Sequence, residues 1–347
     1  MQEDSASTQP SANPGASTAP PVPMYASTQL RELGEELNAL YEARDDKPSD
    51  ANASEIERVR RQMRSGPRLQ AGEFLGDGHY RLLEKLPTAG VDGKWKAWNR
   101  DQQRPVLVRV FYGQWVSDAD AIEGFVERGK ALGELEGTGI GRTFEAARSD
   151  DGFVYLVTEL FETGSLATRT ELDAIAVTQV LLETGRALAT AHEAGIVHGA
   201  VQPDNVMISE AGVANLVGFS VAPTDAAEAT SLYRAPETTE KAYAPAPSAD
   251  VYALGMTAMA AFNQGELPFW VLRDPSRLIQ SLPVSEAVKS VLLKATDWDL
   301  SVRYPTPVRL IEDLLADATL VEQLAVRARE LERFDVAAEH FETLLTL

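Results

Sequence analysis

The residues best equipped for chemistry lie in one stretch, Gly195 to Ile208. It carries His198, Gln202, Asp204 and Asn205 between apolar neighbours. Ala200 stands among them, and a methyl group can neither accept a proton nor orient a hydroxyl. Two further candidates stand elsewhere: Arg109 inside the apolar run Val106–Val110, and the triplet Gly218-Phe219-Ser220. The chain has no Cys, which excludes disulfides, thiolate metal sites and thiol nucleophiles. The four histidines, His79, His192, His198 and His340, show no ligand spacing, and no metal site is expected.

The frame of this stretch resembles the catalytic loop of eukaryotic-type serine/threonine protein kinases, G-I-x-H-R-D-L-K-P-x-N. His198, Pro203 and Asn205 keep the frame. On that resemblance the general-base Asp is replaced by Ala200, the Arg by Gly199 and the Lys by Gln202. The resemblance runs from Tyr80 to about Ala318. Pro87, Ala89 and Asp92 replace the three glycines of the phosphate loop, and Asp92 adds a carboxylate where phosphates would lie. Arg109 takes the place of the phosphate-pairing Lys, a swap that changes length, planarity and hydration. The position of that Lys's partner Glu falls on Arg128, with Glu127 one place away. Gly218 replaces the metal-binding Asp of D-F-G, while Phe219 is kept. Asn205 alone is a poor Mg²⁺ site, because hard cations need anionic oxygens.

The same resemblance implies a vestigial nucleotide pocket of Lys94, Leu107, Thr158, Asn205 and Met207. Leu107 and Lys94 crowd the ceiling over the base, and Thr158 falls at the gatekeeper. No cofactor is expected there. Residues implied to hold the fold are retained: His198, Phe219, Glu237 of A-P-E, Asp250, which ties to the loop backbone, and Arg303, which pairs with Glu237. Thr224, Thr230 and Ser231 are candidate phosphosites in the segment Val221–Arg234.

These motifs need elements to carry them. Residues 1–26, rich in Ser, Thr, Ala and Pro, are expected to form a disordered tail. Leu30, Leu33, Leu37 and Leu40, then Ile56, Val59 and Met63, predict a helical hairpin over 27–66. A kinase-like domain is placed at 79–318, with a small lobe over 79–160 and a large lobe over 161–318. Strands are expected at Tyr80–Leu86, Trp95–Trp98, Val106–Val110 and Tyr155–Leu160, and helices at Ala121–Glu136 and Leu181–Ala194. Residues 319–347 are expected to form a helix pair, resembling one tetratricopeptide unit or docked as a closing pair on the large lobe. The fold class is therefore α+β: a bilobal protein-kinase-like fold, with a small β-rich lobe, a large helical lobe, and helical N- and C-terminal additions.

Net charge is -20 and pI about 4.7, which argues against nucleic acid or anionic membrane as partner. No apolar run reaches about 18 residues and the start lacks a signal peptide's pattern, so the cytoplasm is expected. The altered positions imply a degenerate member of the family, a pseudokinase and not an enzyme. Its expected role is a scaffold or regulatory module. It would bind other proteins through the N-terminal helices, the kinase-like domain or the C-terminal pair. The alternative is a nucleotide-binding switch or a residual ATP-dependent phosphotransferase with a rearranged site, in which ATP and Mg²⁺ would return as ligands.

Overall fold

The computed structural model describes residues 36, 39, 55–56, 69–87, 93–111, 116, 118–135, 139–149, 152–221, 231–239 and 246–347. The chain divides into two compact units, 1–69 and 70–347. In the first, Glu36, Ala39, Glu55 and Ile56 are helical. The expected tail and the rest of the expected hairpin lie outside the described residues.

The second unit opens with a sheet of β1 (Phe74–Leu75), β2 (Tyr80–Leu86), β3 (Gly93–Asn99), β4 (Arg104–Phe111), β5 (Thr143–Arg148) and β6 (Val154–Glu159). Its order is β1-β2-β3-β4-β6-β5, and every neighbouring pair is antiparallel. Side chains alternate across a strand, and the sequence uses that alternation. Val106, Val108 and Val110 are fully buried, while Leu107 and Arg109 between them are half-buried. Such β-branched residues suit a packed, pleated face.

Helix α1 (Ala119–Gly133) packs on this sheet. It starts at Asp118, whose carboxylate accepts from the N–H groups of Asp120 and Ala121. Ile122, Phe125, Gly129 and Leu132 form its buried stripe. Phe125 meets Phe111 edge-on at 5.2 Å. A Cβ on Gly129 would fall 2.0 Å from the Cβ of Ala146, so only glycine allows helix and sheet to approach this closely. The helix stops at Gly133, which leaves Leu135, expected inside it, beyond its end.

The rest of the unit is helical: α2 (Ala174–Glu193), α3 (Pro247–Phe262), α4 (Pro275–Ser281), α5 (Glu286–Ala295) and α6 (Pro307–Leu315). A short hairpin, β7 (Val206–Ile208) and β8 (Ala214–Leu216), interrupts it. Helix α2 begins well before the expected Leu181, because the Asp173 side chain caps it by accepting from the N–H of Ala176. Helix α3 is buried nearly all round, as its uniformly apolar sequence requires.

Helices α7 (Ala318–Glu330) and α8 (Phe334–Thr346) close the chain and pack on α2. Arg333 pairs with Glu183 and Arg186 with Glu339, while His340 Nε2 meets Gln179 Oε1 at 3.1 Å. Docking on the large lobe is thus seen, and the tetratricopeptide likeness rests on sequence alone. The architecture is the expected bilobal α+β one. Among the described residues no helix is long and apolar enough to cross a membrane.

Candidate functional site

The site grows from the loop between α2 and β7. Asp250, near the start of α3, is 1% exposed and organises that loop from below. Its Oδ2 accepts from the backbone N–H of His198 and its Oδ1 from that of Gly199, each at 2.8 Å. His192 Nε2 lies 2.8 Å from the same Oδ2. A carboxylate that takes charge-assisted bonds from two successive amides fixes the course of the backbone there.

His198 is fully buried. Its Nε2–H donates to the carbonyl of Val217 at 2.9 Å, and its Nδ1 accepts from the N–H of Ala200 at 3.1 Å. That pattern fits the neutral ring. Burial pushes its pKa down, against the opposing pull of Asp250. Its ring lies 4.3 Å from that of Phe219, which is also buried. His198 and Phe219 thus join the loop to the Gly218 segment.

The chemical positions are arranged around Asn205. Its Nδ2 donates to the carbonyl of Ala200 at 2.8 Å. Gly218 stands at φ +77°, and a Cβ there would lie 2.6 Å from Asn205 Oδ1 and 2.9 Å from its Nδ2. The amide therefore occupies the space into which a side chain at position 218 would project. Ala200 and Gln202 are half-buried and bring no carboxylate. Among the described residues no group of three His, Cys, Asp or Glu is placed to hold a metal ion. The donor set around Asn205 does not fit Mg²⁺, whose dehydration needs anionic oxygens. Asp204 is the nearest carboxylate in sequence; it is exposed, and its charge contributes, after burial, to raising the pKa of the Tyr233 hydroxyl.

The nucleotide-pocket residues lie on the small-lobe sheet and on β7. Lys94 stands directly opposite Arg109, and Leu107 directly opposite Thr158. Directly paired residues share a face, so all four belong to the half-buried face of the sheet. The Arg109 guanidinium also lies 4.6 Å over the ring of Phe111. Met207, in β7, is half-buried. Glu127 and Arg128 are both exposed. Ala89 and Asp92 lie outside the described residues, as do Thr224 and Thr230.

Two functional contacts escaped the sequence reading. Lys96 of β3 forms an ion pair with Glu162, just beyond β6, which straps the sheet to the connection into the helical lobe. Glu183 accepts from the N–H of Ala214 at 2.7 Å and from Arg333, joining β8 to the C-terminal helices. Neither pairing leaves a local signal, for the partners are 66 and 150 positions apart. Beneath the loop, Arg303 meets Glu237 with both guanidinium ends, at 2.6 and 3.2 Å, and also donates to the carbonyl of Asp297 at 2.7 Å.

Comparison with known proteins places this geometry. The family model described as protein kinase domain matches residues 95–317. The serine/threonine-protein kinase PknA of Mycobacterium tuberculosis is 32% identical over 215 residues, 55% of this chain and 48% of that protein. The probable serine/threonine-protein kinase CPE1738 of Clostridium perfringens is 25% identical over 270 residues, 70% of this chain and 38% of that protein. The chain thus spans about half or less of the length of these relatives. The crystal structure of the M. tuberculosis PknI kinase domain superposes with a TM-score of 0.57 at 17% identity, covering 72% of this chain and 98% of that one.

These findings correct one expectation. The chain was expected not to be an enzyme, on the strength of Arg109, Ala200, Gln202 and Gly218. The family match extends across the whole of 95–317, and the relatives carry the name of an enzyme, so the comparisons point to a kinase. The physical reason is one of scope. Substituted motif positions remove one way of doing the chemistry, while a fold can carry a site built from other residues.

Proposed function

The chain belongs to the protein kinase family, and from that premise we propose a regulatory, protein-binding serine/threonine-kinase-type domain whose nucleotide phosphates are met by side-chain cations in place of Mg²⁺. The observation that carries this reading is the cross-strand pair of Lys94 and Arg109. Two cations side by side on the half-buried face supply the positive charge that Asn205 and Gly218 cannot recruit as a metal. Leu107, bulkier than the small residue of the family motif, makes base binding weak, as suits a sensor of millimolar nucleotide.

The protein-binding half of the proposal is supported by the completeness of the large-lobe frame. Asp250, His198, Glu237 and Arg303 hold the loop and the segment around Tyr233 in fixed relation. A second reading, phosphoryl transfer by a rearranged site, is favoured by Asp204. Its exposed carboxylate, close enough to perturb Tyr233, is the group available to take a proton.

The test is transfer of radiolabel from ATP to a protein substrate, run beside ATP binding, on wild type, Arg109→Met and Asp204→Asn. The reading expects Arg109→Met to lose nucleotide binding. It expects any transfer to persist in a chelator and to fall with Asp204→Asn. Binding or transfer that depends strictly on Mg²⁺ and ignores both substitutions would contradict it.

A further inference from the structure

Helix α8 gives two residues to the interior, Ala337 and His340. His340 is fully buried, and its Nε2 lies 3.1 Å from Gln179 Oε1 on α2. The Gln179 amide is oriented by its other end, where Nε2 donates to Glu183 Oε1 at 2.8 Å. Gln179 therefore offers His340 an oxygen, and the ring donates its Nε2–H to it. That leaves Nδ1 as the bare nitrogen of a neutral ring. It is buried, with no hydrogen-bond partner among the described residues.

Protonation of Nδ1 would enclose a new N–H and a full charge in this seam, and a buried charge without a partner is costly. The carboxylates close by are committed. Glu183 takes Arg333, Gln179 and the N–H of Ala214, and Glu339 takes Arg186. The charged groups that act on the ring are Glu183 and Arg186 from α2, Glu339 from α8 and Arg333 just ahead of it, and their charges cancel. The buried residues of α7 are all apolar. Burial holds the ring's pKa below its ordinary value.

Relief requires only that α8 leave α2. The apolar core of the lobe takes Leu320 and Leu324 from α7 and no described residue from α8. The α2 face beneath α8 carries Gln179, Glu183 and Arg186, groups that water satisfies once they are uncovered. Segments with few buried apolar contacts open at lower free energy than the core. We infer that α8 is a proton-released latch, docked on α2 through the neutral ring of His340 and freed when that ring is protonated, while α7 stays in the core. Docking is fully present above the free imidazole's value of about 6.5 and weakens as pH falls below it.

The test is hydrogen exchange on the full chain at about pH 7.5 and about pH 5, with rates corrected for the pH dependence of exchange itself. Wild type is compared with His340→Gln, which keeps a donor for Gln179 and takes no proton. Measured against α3, wild type is expected to lose about tenfold in protection over 334–346 at the lower pH, and none over 318–330. His340→Gln is expected to show the same protection at both. Should that variant fold poorly, NMR titration of wild type decides, with the His340 ring and the α8 amides expected to share one midpoint. Protection over 334–346 that follows α3 at both pH values, a loss that His340→Gln repeats, or separate midpoints for ring and helix would each overturn the inference.

Discussion

Asp250 and Lys94 house their charges in opposite ways. Asp250 is 1% exposed, and backbone amides and a histidine surround its two oxygens. Lys94 is half-buried on a sheet face and stands opposite a second cation, Arg109. The first arrangement is closed: each group satisfies another, and removal of one strands its partners. The second sets two cations directly opposite each other on one sheet face. The large lobe is therefore built to hold a shape, while the sheet face carries the charge that the proposed nucleotide site would use. The two regions should respond to mutation in different currencies, the first in stability and the second in ligand binding.

The largest expected effect is on the closed side. Arg303→Ala leaves the Glu237 carboxylate without its bidentate partner, and removing one member of a buried pair costs about 3–5 kcal/mol. Chemical denaturation of wild type and variant reads this directly. A loss below about 1 kcal/mol, the level of a surface pair, would put the Arg303 network on the same footing as the exposed charges and dissolve the comparison.

Next comes the boundary between the regions. Gly218→Asp introduces a Cβ at φ +77° into contact with the Asn205 amide. Backbone strain of that kind costs about 1–3 kcal/mol. The variant is expected to be less stable and to gain no Mg²⁺ dependence unless Asn205 also moves. A stabilised variant with Mg²⁺-dependent melting would show that the metal site needs only one carboxylate.

The pH dependence is smaller and also belongs to the closed side. Burial lowers the pKa of both His198 and His340. A group with a depressed folded pKa contributes stability above its unfolded value of about 6.5 and loses it as pH falls toward the folded value. Denaturant midpoints should therefore be flat above pH 7 and decline below about 6.5. His340→Gln is expected to flatten part of that decline, while a midpoint unchanged down to pH 5 would contradict the neutral-ring assignment.

The smallest effect is expected at the strap. Lys96 is half-buried, and its pKa is raised first by its hydrogen bond to Glu162 and then by that residue's charge. Lys96→Met should leave the melting temperature unchanged, while altering how freely the two lobes move. Small-angle scattering or hydrogen exchange at 159–163 would register that freedom.

Much of the fold was legible because the motifs fix where its strands fall. Tyr80–Leu86 is the strand expected, and Val106–Val110 lies in a strand as expected, its buried valines alternating with Leu107 and Arg109. Asp250, Glu237 and Arg303 were legible because their motifs specify paired charges at fixed places. The start of α2 was missed because half-polar residues such as Thr178 and Gln179 hide a buried face whose partners come from elsewhere. Gln179 is buried against His340, a contact that sequence distance conceals. At the candidate site the substituted positions were legible one by one. The expectation that the chain is not an enzyme failed because those positions were weighed without the remaining length of the match. The register that sets Lys94 against Arg109 appears only once the strands are paired.

The most direct test of the account is the melting temperature of the full chain with millimolar ATP, first in chelator and then with excess Mg²⁺. A ligand at about 100 times its dissociation constant adds about 2.7 kcal/mol to the folded state. The account predicts a rise with ATP in chelator, no further rise with Mg²⁺, and loss of the rise in Arg109→Met. A rise that appears only when Mg²⁺ is present would show that the Asn205 site holds a metal after all, and would contradict it.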